Sequence, residues 1–281
     1  MSTLFSVLIA NYNNGQYLSE AIDSVLHQSY PHWEVVILDD GSTDNSEAIY
    51  NQYSQDPRLH IHHNKQNLGC GYTKRKLVEL ASGDICGFLD ADDRLEDNAL
   101  EVMVQEHASH PEVSIIFSRY NQCDNNWNVI WPNRLLQLAE GESYFSKGDY
   151  TPEHFVSFKK SYYLQTEGIN PWARLAEDRD LFFKLEEVGQ LLILDQFLYK
   201  YRISQNSTSH GTSIKGLYWD TLIKYEACKR RGIPPADYGL PEFMDYINKY
   251  VSVYHTKEYR IGHALLQPLV WCKRLLKGLH R

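Results

Sequence analysis

Ile85-Cys86-Gly87-Phe88-Leu89-Asp90-Ala91-Asp92-Asp93 is an apolar run that ends in three acids. Earlier in the chain, Val35-Val36-Ile37-Leu38-Asp39-Asp40-Gly41-Ser42 follows the same plan. Each reads as a buried β-strand that delivers carboxylates at its C-terminal end. In an open parallel sheet those ends face the ligand crevice. Five carboxylates gathered at one edge repel one another unless a cation or hydrogen-bond donors compensate them. A divalent cation carrying a phosphorylated ligand meets that need.

The pattern around these turns supports the sheet. Val7-Leu8-Ile9-Ala10 is a short apolar run followed by turn residues Asn11-Tyr12-Asn13-Asn14-Gly15. Leu18, Ile22, Val25 and Leu26 then share one helical face, and Tyr30-Pro31 ends that helix. Asp44 with Glu47 has the spacing of a capping box for the next helix. Residues 59–62 read as a third strand, 67–81 as a loop entering a helix, and 84–89 as a strand. Leu100, Met103, Val104 and His107 line up on one helical face, and residues 113–117 form another strand. Strand and helix thus alternate to about residue 118, which predicts a parallel sheet with crossover helices. Residues 120–170 are rich in Asn, Trp and Tyr and suggest an antiparallel excursion with acceptor-facing loops. Residues 177–188 read as a helix, 191–194 and 197–203 as two strands, and the chain turns helical and basic after Lys215.

Composition narrows the classes. The 281 residues carry a net charge of −8, which argues against nucleic acid as a partner. The five cysteines are scattered without CxxC spacing, so free thiols in a reducing compartment are expected rather than a zinc site. The N-terminus has no basic region before its first strand, and no apolar run reaches the ~20 residues that span a bilayer. A cytoplasmic protein, at most peripheral on the inner face of the membrane, is the expectation.

Taken together, these stretches resemble glycosyltransferase family 2, of the GT-A fold, over roughly residues 4–210. The resemblance rests on six segments in order: Val7-Leu8-Ile9-Ala10-Asn11-Tyr12-Asn13; Asp39-Asp40-Gly41-Ser42-Thr43-Asp44; Asn67-Leu68-Gly69 followed by Arg75; Phe88-Leu89-Asp90-Ala91-Asp92-Asp93; Ala176-Glu177-Asp178; and Tyr201-Arg202 with Ser207-Thr208-Ser209-His210. It implies an α/β fold: a mostly parallel Rossmann-like sheet flanked by helices, with a helical C-terminal extension. A catalytic domain is expected over residues 1–214, with a nucleotide-sugar half to about 118 and an acceptor half over 119–214. Residues 215–281 would form the basic extension.

The implied activity is inverting, metal-dependent transfer of a sugar from a nucleoside diphosphate sugar, a UDP-sugar foremost, to a hydroxyl of a glycan or lipid-linked acceptor. The resemblance implies nucleotide contacts at Ala10, Tyr12, Asp39, Asp40, Arg75 and Asp90, with Asp90 facing either the ribose or the metal. Asp40 would accept the N3–H of uracil, with Asp39 in support; both are otherwise turn formers. Arg75 would reach uracil or phosphate, with Lys74 and Lys76 as solvated flanks. Asp92 is expected as the direct ligand of Mn²⁺ or Mg²⁺, supported by Asp93. His210 is either a further ligand or a solvent-facing loop histidine. Arg202 either contacts the diphosphate or pairs with an acid. Asp178 is the expected general base, taking the acceptor proton as positive charge develops at the anomeric carbon. Adjacent Glu177 is expected to point elsewhere on the helix. Alternatively, Glu177, Asp178 and Asp180 are ordinary first-turn acids favoured by the helix dipole.

Residues 255–281 set Lys257, Arg260, Lys273, Arg274, Lys277 and Arg281 against the acid Glu258, among leucines and Trp271. Such a segment either lies on an anionic membrane surface or packs as a helix with a solvated basic face. Retaining transfer stays an alternative, because carboxylates alone do not fix stereochemistry, and two rival functions remain. A sugar nucleotidyltransferase would want a basic, Gly-rich phosphate loop after the first strand, which Asn11-Tyr12-Asn13-Asn14-Gly15 does not supply. A nucleotide-sugar-binding module without turnover would have no use for Asp92 and Asp178.

Overall fold

In the computed structural model the described residues are 2–133, 138, 142–147, 154–173, 175–203, 214–240, 242, 245 and 248. His210 and residues 255–281 lie outside them. The elements follow the chain as β1 (Phe5–Asn11), α1 (Gly15–Leu26), β2 (Trp33–Asp39), α2 (Ser46–Tyr53), β3 (Leu59–His63), α3 (Cys70–Leu80), β4 (Ile85–Phe88), β5 (Arg94–Leu95) and α4 (Ala99–Ser109). They continue as β6 (Val113–Cys123), β7 (Val129–Pro132), α5 (Tyr144–Lys147), β8 (Val156–Lys159), α6 (Lys160–Tyr163), α7 (Glu177–Val188), β9 (Gln190–Arg202) and α8 (Ile214–Arg231).

The sheet order is β3-β2-β1-β4-β8-β6-β9-β5, with β7 on β6. The strands β3, β2, β1 and β4 are mutually parallel. β8 then enters antiparallel between β4 and β6, and β6 runs parallel to β9. The alternation expected to residue 118 therefore holds, and the excursion expected beyond it is the β6–β7–β8 segment. The two strands expected at 191–194 and 197–203 are one long strand, β9. Its register against β6 shifts near Phe117–Tyr120, which bends the strand without ending it.

β1 and β2 are apolar on both faces and buried almost throughout, as a central parallel strand covered by helices requires. Leu18, Ile22 and Val25 from α1 and Leu100 and Met103 from α4 close the same core, with Phe155, Leu198 and Tyr199. Asp44 and Glu47 do not form the expected box. Asp44 instead accepts from the Ser46 amide (3.0 Å) and the Gly15 amide (2.8 Å), which ties the starts of α1 and α2 together.

The residues to Ala227 form one compact unit, and those from Cys228 belong to a second. The described part of the second includes a 3₁₀ turn, Pro235–Tyr238, closed by left-handed Gly239. No described helix is long and apolar enough to cross a membrane.

Candidate active site

β1, β2 and β4 end side by side, so their following turns share one edge of the sheet. At the end of β2, Asp39 is 4% exposed and fully engaged. Its Oδ1 accepts the amides of Gly41 (3.0 Å) and Ser42 (2.7 Å), and its Oδ2 accepts Tyr50 OH (2.7 Å) and Asn11 Nδ2 (3.2 Å). Burial opposes ionisation here, but the Ser42 amide and the Tyr50 hydroxyl win and hold this carboxyl below its ordinary range. Asp40 accepts Asn64 Nδ2 (2.8 Å) and the Leu68 amide (2.9 Å) on Oδ1 and the Gly69 amide (2.9 Å) on Oδ2. Three donors leave room for one more on Oδ2, since a carboxylate accepts about four. Both acids order the turns at this edge of the sheet. Gly41 lets them do so: its φ is +79°, and a Cβ there would meet the Gln66 backbone at 2.8 Å. Ala10 is half-buried on β1, while Tyr12 is exposed beyond the strand's end.

The second turn is wired to β9. The Asp90 amide donates to Tyr199 OH (3.2 Å), which in turn donates to Asp93 Oδ2 (2.8 Å). Asp93 Oδ1 accepts the Arg202 amide (2.7 Å). Arg202 is 2% exposed and pairs with an acid, Glu20, one of the two expectations for it. Its Nε donates to Asp92 O (2.9 Å) and its terminal nitrogens to Asn125 O (3.2 Å) and Glu20 Oε1 (3.0 Å). Its guanidinium lies over the rings of Tyr17 and Trp127.

Asp90, Asp93 and His154 bring ligand atoms within 4.8 Å of one another, a cluster found among the described residues. His154 stacks on Tyr199 and Tyr201 (centroids 5.1 and 5.0 Å), and burial lowers its pKa, which keeps the imidazole neutral as a ligand must be. Burial, then Asp90, pushes the Asp92 carboxyl up to about 6. Burial, then Asp90 and Asp92, pushes Asp93 well up. Such crowding calls for a cation. Two carboxylates and one imidazole suit Mn²⁺ better than Mg²⁺, which prefers all-oxygen sites. The residues therefore fit a divalent ion, with His154 beside the acids that sequence singled out; Asp92 adjoins the cluster without belonging to it.

Asp178 stands in the first turn of α7, its side chain 37% exposed. Lys74 Nζ donates to both of its oxygens at 2.8 Å, and lies 4.0 Å from Asp90 Oδ1. Lys74 is thus not a solvated flank; it is buried between two acids. Lys76 does face solvent and pairs with Glu79. Glu177 is 8% exposed, and burial followed by the charge of Asp178 raises its pKa. Arg75 donates to Ile169 O (3.1 Å) and reaches Glu79 (3.6 Å), so it links α3 to the loop after α6 rather than to either Asp turn.

Two members of this site escaped the sequence. Lys74 sits in a Lys74-Arg75-Lys76 run that reads as a charged helix face. His154 is one of 12 histidines, in a stretch with no periodicity to mark an inward side chain.

Residues 6–166 match the family described as glycosyl transferase family 2. Over 277 residues, 95% of this chain, the sequence is 31% identical to a hyaluronan synthase of Pasteurella multocida, covering 27% of it. Over 217 residues, 76% of this chain, it is 31% identical to a chondroitin synthase of Escherichia coli, covering 30% of that protein. The chain spans under a third of the length of either relative. Among solved structures, S. aureus TarS in complex with UDP-GlcNAc superposes with a TM-score of 0.66 at 21% identity, over 79% of this chain and 66% of that one. A mannosyltransferase of Pyrobaculum calidifontis in complex with GDP-Man and Mn²⁺ gives 0.61 at 16%, over 96% and 86%. These likenesses establish the GT-A fold. The family match spans more than half the sequence and falls on the acid turns that build the site: the chain belongs to glycosyl transferase family 2.

Proposed function

We propose that this chain transfers a sugar, with inversion, from a nucleoside diphosphate sugar to a hydroxyl of a glycan or lipid-linked acceptor. One observation carries the reading: the solvent-open acid Asp178 is joined through Lys74 to the acid turn at Asp90, so an acceptor-side base adjoins a cation site. A UDP-sugar is the favoured donor. The complexes of TarS with UDP-GlcNAc and of the archaeal enzyme with GDP-Man and Mn²⁺ support a nucleotide-sugar donor and a divalent ion.

In this reading Asp39 and Asp40 shape the nucleoside pocket by ordering residues 11–13 and 64–69. The remaining acceptor position on Asp40 Oδ2 suits the N3–H of uracil. Asp90, Asp93 and His154 would hold the cation, with Asp92 alongside; bound there, it neutralises the departing diphosphate. Asp178 accepts the proton of the acceptor hydroxyl as that oxygen attacks the anomeric carbon. Direct attack of that oxygen in line with the departing diphosphate, with no covalent enzyme intermediate, would invert the anomeric centre. Trp172, 71% exposed on the loop leading into α7, offers a flat face for an acceptor sugar. We keep residues 1–214 as the catalytic domain and 215–281 as an extension, and propose the basic segment 255–281 as a membrane-surface contact. Liposome flotation with and without that segment tests the contact.

A thermal-shift screen of UDP, GDP and their sugars, with and without Mn²⁺, tests the donor reading. A shift with a nucleoside diphosphate that grows with Mn²⁺ is expected. No shift with any of them would sink it.

A further inference from the structure

We propose that Lys74 is a positioning residue with a second effect: it is a resident cation that anchors Asp178 and weakens binding of a divalent ion at the Asp90 turn until a donor arrives. The inference rests on the reading of Asp90, Asp93 and His154 as the cation site.

Three features carry it. First, Lys74 Nζ meets both oxygens of Asp178 at 2.8 Å and stands 4.0 Å from Asp90 Oδ1, so one ammonium serves acids from two different halves of the fold. Second, Lys74 has a side chain only 7% exposed, while Asp178 and Asp90 are 37% and 40% exposed. The lysine lies beneath, and the carboxylates open outward. Third, its ammonium lies 5.2 Å from the Phe88 ring as well as beside the acids, with Glu177 adding to the negative charge around it. A buried ammonium is expensive unless paired, and its removal leaves carboxylates uncompensated.

The consequences differ for the two acids. For Asp178, the paired contact fixes the carboxylate and uses one lone pair on each oxygen, leaving the others for an acceptor hydroxyl. For the Asp90 turn, a positive charge at this range repels an incoming divalent ion through a partly desolvated medium. A donor diphosphate brings negative charge of its own and offsets that repulsion. Cation and nucleotide therefore bind cooperatively, and Lys74 sets part of the coupling.

The test is Mn²⁺ binding to the whole protein, read by electron paramagnetic resonance of the free ion, without nucleotide and then with UDP. Lys74→Met and Lys74→Gln both remove the charge; Lys74→Arg keeps it. In the neutral variants, Mn²⁺ alone is expected to bind about tenfold tighter than in wild type, and UDP should improve its affinity less. Lys74→Arg should stay within about threefold of wild type. A merely structural lysine would loosen the site and weaken Mn²⁺ when lost. Unchanged or weaker Mn²⁺ binding in a neutral variant that melts cooperatively overturns the proposal. If both neutral variants fail to fold, a Lys74→Arg protein with Mn²⁺ affinity weakened more than tenfold overturns it, and wild-type-like affinity supports it. Failure of wild type to bind Mn²⁺ even with UDP would instead remove the cation-site reading beneath it.

Discussion

Arg202 Nε donates to the main-chain oxygen of Asp92 at 2.9 Å. The end of β9 thereby holds the turn after β4, although the two are distant in sequence. Arg202 is also stacked between Tyr17 and Trp127 and paired with Glu20. Arg202→Ala removes a buried cation and leaves several partners unsatisfied, so it should destabilise the protein by about 3 kcal/mol or more. Urea unfolding checks this. Arg202→Lys should recover little, because lysine cannot reproduce the fork of contacts.

Tyr199 is the second tie on that turn, bridging the Asp90 amide and the Asp93 carboxylate. Tyr199→Phe keeps the ring that stacks on His154 and loses both hydrogen bonds. Stability should fall by about 1–3 kcal/mol, and Mn²⁺ affinity should drop because Asp93 is no longer fixed. A phenylalanine variant with wild-type stability and Mn²⁺ binding would mean the hydroxyl does not organise the turn.

His154 is the nitrogen donor of the proposed cation site. His154→Ala should weaken Mn²⁺ by about tenfold or more and Mg²⁺ much less, since imidazole contributes mainly to Mn²⁺ binding. Competitive titration of the two ions reads the ratio. Equal losses for both would argue that His154 acts only through packing.

His107 supplies a pH test away from the site. It is 2% exposed, bonded to Ser157 (3.0 Å), and burial followed by Lys159 lowers its pKa to about 3. In the unfolded chain a histidine titrates near 6.5. Between those values the unfolded state takes a proton that the folded state refuses. The stability from the neutral form is therefore present above pH 6.5 and is lost as pH falls toward 3, by about 3 kcal/mol at pH 4. Melting curves from pH 7 to pH 4 should fall more steeply for wild type than for His107→Gln.

How much of this was legible in the sequence follows from physical range. The parallel half of the fold is local: Val7–Ala10, Val35–Leu38 and Ile85–Leu89 are apolar runs bounded by turn residues, and each became a strand. The acid turns followed because strand ends in such a sheet share an edge. What stayed hidden depends on contacts distant in sequence. Lys74 and Asp178 are separated by 104 residues, and a lysine among charged neighbours looks solvated until α7 is packed over it. His154 joins Asp90 only because β8 is inserted between β4 and β6. Arg202 was open between phosphate and acid, and its contacts with Tyr17, Trp127 and Glu20 come from segments far from it in sequence.

The central claim is that Asp178 is the base. The direct measurement is UDP release by wild type and Asp178→Asn, with the nucleotide sugar that gives the largest thermal shift, alongside calorimetric UDP binding with Mn²⁺. UDP affinity should stay within about threefold of wild type, and turnover should fall by about a hundredfold or more. A folded Asp178→Asn protein that keeps more than about a tenth of wild-type turnover would contradict it and move the base elsewhere in the site.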